Sequence, residues 1–191
     1  LALTKVGAGT LTLSGAKTYT GATNINVGIL TVTGSLSDST AVTVASGATY
    51  NVNASDTVVS IAGAGLITTP ASSGTITLTA GNDGTSTTFS GVLQDGTNAT
   101  LALTKVGAGT LTLSGTNTYT AGTTISAGTL ALSASGTIAN SSGVIATGTF
   151  NISGATGGIS IKNLSVSGFV SLVSNTLTLT SANYTFSGAI N

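Results

Sequence analysis

Side chains able to do chemistry are few in this chain of 191 residues. Asp38, Asp56, Asp83, Asp95, Lys5, Lys17, Lys105 and Lys162 carry all of its side-chain charge, and His, Cys, Arg and Glu are absent. Without His or Cys, neither a Ser-His-Asp nor a Cys-His triad can be assembled, nor a zinc site of imidazole or thiolate ligands. Hydrolysis or lysis of a polysaccharide needs carboxyl groups clustered at one bond. The four Asp are spread along the chain and read as lying in different turns of the fold. Asp83-Gly84 and Asp95-Gly96 invite a calcium reading, but the Gly-Gly-x-Gly-x-Asp pattern of calcium-binding turns is missing. Asn82-Asp83-Gly84 and Asp95-Gly96-Thr97-Asn98 therefore read as plain turns. Gly7-Ala8-Gly9 and Gly63-Ala64-Gly65 resemble half of a phosphate loop, without the third glycine and helix such a loop requires, and read as corners. No enzyme, cofactor or metal site is expected.

Near absence of charge also leaves nothing to capture nucleic acid or anionic lipid electrostatically. No apolar run is long enough to cross a bilayer as a helix. With no cysteine there is no disulfide framework. The chain opens on Leu1 with neither Met nor a leader pattern and reads as a segment of a longer protein.

The elements that must position these residues are repetitive. LALTKVGAGTLTLSG at residues 1–15 returns unchanged at 101–115, and Thr18, Tyr19, Thr20, Thr23, Ile25, Gly28 and Leu30 recur as Thr118, Tyr119, Thr120, Thr123, Ile125, Gly128 and Leu130. Phe89-Ser90-Gly91 returns as Phe186-Ser187-Gly188. Two units, 1–100 and 101–191, are expected within one continuous solenoid.

Inside each unit a shorter period appears, a glycine followed two residues later by an apolar residue. It falls at Gly9, Gly28, Gly47, Gly65, Gly91, Gly109, Gly128, Gly148, Gly168 and Gly188, with the apolar partner of Gly47, Tyr50, one residue late. The spacings are 18–20 residues except for 26 between Gly65 and Gly91, an interval that holds TTPASSG at 68–74 and reads as a loop inserted at a corner. After each glycine the letters alternate apolar and polar, the mark of a half-buried strand. The glycines are then corners, where positive φ or close backbone approach excludes a Cβ. Ile25 and Val27 should point inward, then Leu30 and Val32, with Ile29 outward and Tyr50, Phe150 and Phe169 among the aromatic residues filling the interior. Lys5 and Lys105 read as solvated charges that limit edge association. A period near 20 with short strands predicts an all-β fold, a parallel β-solenoid of about ten rungs of 18–20 residues.

Residues 3–32 and 103–132 follow the pattern LTKxGxGTLTLSGxNTYTGxTxxxxGTLxV, with Lys17 in place of Asn, Ala121-Gly122 in place of the Gly-centred turn and Ile29 in place of Thr. This resembles the autotransporter-associated β-strand repeat, a passenger-domain repeat of type V secreted bacterial proteins. The resemblance implies a right-handed parallel β-helix at the surface of, or outside, a Gram-negative cell, without catalytic residues. It points to a stalk or fibre for adhesion or matrix (biofilm) assembly, partnered by further repeats of the same protein, by end-to-end copies of it, or by a host or matrix surface ligand. Two other classes remain. Outward Thr at Thr10-Leu11-Thr12, Thr75-Ile76-Thr77-Leu78-Thr79 and Thr176-Leu177-Thr178-Leu179-Thr180 would suit ice if such strands recurred in every rung, and the segment would equally suit the non-catalytic part of a carbohydrate-active β-helix protein.

Overall fold

A computed structural model describes residues 1–70, 73–183 and 185–191. Its regular elements are strands of two to seven residues, and no described residue is helical. This follows from a sequence in which Leu, Val and Ile alternate with Thr and Ser, residues that suit a pleated, half-buried surface. Every strand pairing is parallel, each strand lying on the one a turn earlier. Sheets of ten, six and five strands and one further strand pair wrap a shared core. The ten-stranded face gives nine steps between strands, so the protein is a β-solenoid of about nine turns. At about 4.8 Å per step its axis is roughly 43 Å long.

Register stacks like upon like. Leu11, Leu30, Tyr50, Ile67 and Leu93 form one column, and Leu111, Leu130, Phe150 and Val170 another. Tyr50 and Phe150 are wholly buried, and each such side chain contributes roughly 2 kcal/mol of transfer free energy. Two inward assignments are corrected. Val27 is 46% exposed, because the amides of Asn26 and Val27 both donate to the Lys5 carbonyl and the chain turns there, ending the alternation that buries Ile25. Phe169 is 55% exposed: it pairs with Thr149 and Ala189 in an outward column, and Val170 takes the inward place.

The turns are not of one length. Most pairings join residues 17–22 apart, as in Leu3 with Thr23 or Thr149 with Phe169. In the middle of the chain Gly63 pairs with Phe89, Leu66 with Val92, Gly74 with Ala99 and Thr87 with Leu111, steps of 24–26 residues. The 26-residue interval is therefore one full turn, with Leu66–Thr68 on the five-stranded face and Gly74–Ala80 on the six-stranded face. Of the loop expected at 68–74, residues 71 and 72 lie outside the described residues. Thr69 beside it is buried, donating to the Ala99 carbonyl at 3.2 Å and accepting from the Gly96 amide at 3.1 Å.

These long turns displace the second unit by one face. Leu3–Lys5 lies on the ten-stranded face and Thr10–Leu13 on the five-stranded face, whereas the same letters at Ala99–Lys105 and Thr110–Leu113 lie on the six-stranded and ten-stranded faces. The corner glycines accordingly form two columns rather than one ladder. Gly28 sits against Gly7 and Gly9, and Gly91 against Gly65. At a second corner Gly128 sits against Gly107 and Gly109, followed by Gly148, Gly168 and Gly188. What abuts Gly91 from the next turn is Gly115, not Gly109.

Candidate functional site

The recurring polar residues of the motif converge on the corners. In Leu103-Thr104-Lys105 the strand alternation puts Lys105 in phase with Leu103, between Ala80 and Ile125 of the neighbouring turns. Lys105 is 1% exposed and Lys5 8%, so the expectation of solvated lysines is corrected. The aliphatic stem lies in the apolar column, and the ammonium reaches the corner. Lys105 Nζ donates to the carbonyls of Val106 at 2.5 Å, Gly107 at 2.8 Å and Ala127 at 3.4 Å, the last in the following turn. Lys5 Nζ likewise donates to Gly7 and, across the turn, to Val27 at 3.1 Å. Burial lowers the pKa of Lys105, partly offset by the charge of Asp83. These Gly-rich corners turn carbonyl oxygens toward a cation that the chain itself supplies, the opposite of the amide-lined cradle a phosphate needs.

Lys105→Met keeps the stem and removes the three donors, leaving corner carbonyls without their partner. It is expected to lower the unfolding free energy by about 2–4 kcal/mol, measured by denaturant titration. Lys17→Met, where the ammonium meets only the Ser14 carbonyl near the surface, is expected to cost about 1 kcal/mol or less.

A second device couples turns through hydroxyl groups. Tyr119 is wholly buried, and its hydroxyl lies 2.7 Å from Thr123 Oγ1, which is 3.0 Å from Ser141 Oγ one turn on; Ser141 Oγ donates to the Ala121 carbonyl at 2.9 Å. Tyr19, Thr23 and Thr40 repeat this chain at 2.7 and 3.2 Å. Burial raises the pKa of the Tyr119 phenol. Asn117 spans three turns, accepting from the Leu93 amide at 2.9 Å and donating to the Gly115 and Thr137 carbonyls at 2.9 and 3.1 Å. Lys17 at the equivalent position has no acceptor atom with which to take the amide from below.

The carboxylates do not gather at one site. Asp38 is exposed, and Asp83 closes its own turn by accepting from the Thr85 amide and hydroxyl at 3.0 and 2.8 Å. Asp95 Oδ1 accepts from the Leu101 amide at 2.7 Å and Oδ2 from the Thr120 hydroxyl at 2.6 Å, fastening a long central turn to the next. Among the described residues no three His, Cys, Asp or Glu stand close enough to hold a metal ion. Asp56 is 5% exposed and accepts from the Leu36 amide at 3.0 Å, the Tyr50 hydroxyl at 3.2 Å and the Thr57 amide at 3.0 Å. Burial, with a smaller push from Asp38, raises its pKa above the ordinary 3.8 in spite of these donors.

That shift has a definite sign. A carboxyl with a raised folded pKa holds its proton more tightly in the native state, so its stabilising contribution is complete below the unfolded pKa and lost as pH rises through the folded value. Unfolding free energy is expected to fall as pH rises from about 4 through the raised Asp56 pKa, and Asp56→Asn to abolish that slope in denaturant titrations at several pH values.

Outward threonines stack but mostly in single file. Thr57, Thr79, Thr104 and Thr124 form a column that ends at Ile145. Only Gly74–Ala80 and Ala99–Lys105 widen it, and there Thr75 and Thr100 bond to each other at 3.0 Å while Ala102 faces Thr77.

Residues 3–32 and 103–132, the segments that carry these lysine and tyrosine devices, match the family described as passenger-associated-transport-repeat. Both copies of the motif are passenger-associated-transport-repeats. No curated protein and no solved structure matches the chain. In each repeat the Lys of LTK, the Tyr of TYT and the Thr four residues beyond it tie one turn to the next. Sequence reasoning misses the lysines although the signal is present, since LTK places Lys two residues after Leu in a strand of period two.

Proposed function

We propose that this chain is a non-enzymatic structural segment of a passenger domain, a stalk or fibre that serves adhesion or matrix assembly at the surface of a Gram-negative bacterium. The repeat family and the solenoid fold support the passenger segment, and that family implies a secreted or surface location. No helix among the described residues is long and apolar enough to cross a membrane. The observation that carries the reading is where the motif spends its polar side chains. Lys5, Lys105, Thr123 and Asn117 are directed at the backbone or side chains of adjoining turns, and Tyr119 holds Thr123 from within its own turn, so the recurring chemistry holds the rod together. Further rungs of the same protein are its neighbours along the axis, and a host or matrix surface is its target.

The test is display of the chain on a Gram-negative cell through an unrelated translocator. Retained biofilm biomass is expected to rise over cells displaying the carrier alone, with no sugar released from a panel of polysaccharides. Unchanged biomass would remove the adhesive role, and released sugar would overturn the non-enzymatic reading.

A further inference from the structure

The residue between each corner glycine and its inward apolar partner points outward, and its type differs between the two glycine columns. On the ten-stranded face it is Thr110, Thr129 and Thr149, before Phe169 and Ala189. On the five-stranded face the file runs Thr10, Ile29, Thr49, Leu66, Val92. Three of these five are large apolar side chains, in a place where threonine satisfies the strand elsewhere. Ile29, Leu66 and Val92 are half-buried, each stacked on its neighbour in the file, and Leu66–Thr68 has a paired strand on both sides. Their outward surface is therefore a property of the middle of the rod.

Beside this file lies an open groove of about 380 Å³. Ala48, Ala64, Leu66 and Val92 give it an apolar lining, and Thr49 and Gln94 add polar groups. The Gln94 carboxamide makes no hydrogen bond among the described residues, so both its donor and its acceptor are available to a ligand. No charged side chain lines the groove, and none lies in any strand of the five-stranded face.

These features narrow the occupant. From Ile29 to Val92 the file spans three steps, about 14 Å, and the outward residues of one strand stand about 6.7 Å apart, a surface on the order of 100 Å². A stable protein partner needs roughly 800 Å² on each side. Leu66–Thr68 is hydrogen-bonded along both edges, so no extended peptide can add to it as a strand. A nucleic acid or an acidic polymer has no cation to meet here. A neutral sugar chain meets what is present, because a pyranose ring offers a C–H face to apolar side chains and hydroxyl groups to an amide and a threonine.

We infer that the groove along Ile29, Leu66 and Val92 binds a neutral matrix polysaccharide laid across the five-stranded face, with Leu66 and Val92 under the sugar rings and Gln94 bonded to ring hydroxyls. The inference rests on the reading of the chain as an adhesive passenger segment, and adds the partner's chemistry and its place on the rod.

The test is binding of the chain to mannan, dextran and hydroxyethyl cellulose, followed by calorimetry. Leu66→Thr with Val92→Thr puts at both places the residue that Thr49 and Thr129 already supply, so the strands are kept, and an unchanged denaturation midpoint checks this. Ile145→Thr is the control, an outward residue of the six-stranded face that is 53% exposed. Expected is saturable binding to at least one of the three polymers, insensitive to salt, weakened about tenfold or more in the double variant and unchanged in Ile145→Thr. Binding to none of the three, equal affinity in the double variant, or equal loss in Ile145→Thr overturns the inference. So does a dimer in sedimentation that the double variant abolishes, since a second copy would then be the occupant. Raised biofilm biomass that survives the double substitution would strike the groove and leave the adhesive reading standing, whereas unchanged biomass with polymer binding intact would do the reverse.

Discussion

Leu111→Asp is expected to lower the unfolding free energy by about 3–5 kcal/mol, because the new carboxylate would be buried without a partner and must either remain charged in the core or hold its proton there. Leu111 is 2% exposed in the column between Thr87 and Leu130, and the turns on both sides close over it. Thr112→Asp is the paired control. Its side chain faces outward between Thr88 and Ala131 and is only partly buried, so the loss is that of a poor strand former, about 1 kcal/mol or less. Denaturant titration of the two variants compares inside with outside at adjacent residues. Equal losses would mean that the strand does not alternate as described.

Gly128→Val is the second large effect. Gly128 has φ of 62°, and a Cβ there would stand 2.4 Å from the carbonyl oxygens of both Gly107 and Gly109. The conformation alone costs a β-branched residue about 1–3 kcal/mol. Backbone oxygens of a neighbouring turn cannot swing aside as a flexible side chain would, so the total is expected to exceed about 3 kcal/mol. Gly122→Ala serves as control, since its Cβ would meet only Ser142 Oγ at 3.6 Å, and a midpoint near that of the unaltered protein is expected.

Much of this architecture can be read from the letters. The glycine period gives short strands joined at corners, and the residue two beyond each glycine points inward at Leu30, Leu111, Leu130, Phe150 and Val170 alike. The face each strand occupies is not written there. A turn has three corners, a glycine meets the same need at each, and counting glycines cannot distinguish the corner above from the next corner along. The interval of 18 residues between Gly91 and Gly109 looks like a regular step yet joins two different columns, while the irregular 26 between Gly65 and Gly91 is a true turn. The lysines mislead for a related reason. Charge suggests solvent, but a long stem in phase with leucine can end in a ring of carbonyls, and only the fold brings Ala127 within reach of Lys105. Phe169 shows the converse, since hydrophobicity suggests the interior and phase assigns it to the surface.

The parallel ladders also determine how the rod would answer a pull along its axis. Strand hydrogen bonds run with the axis, and only the terminal turn is loaded at any moment, so extension would peel turns one by one instead of shearing a whole sheet at once. A turn of 20 residues, such as Thr149 to Phe169, would release about 70 Å of chain, and the 26-residue turn from Leu66 to Val92 about 90 Å. Lys105, bonded to the carbonyls of two successive turns, would act as a clasp that must open before the strand beneath it can leave. A rod built this way would dissipate tension turn by turn, with its longest single extension released at the 26-residue turn from Leu66 to Val92.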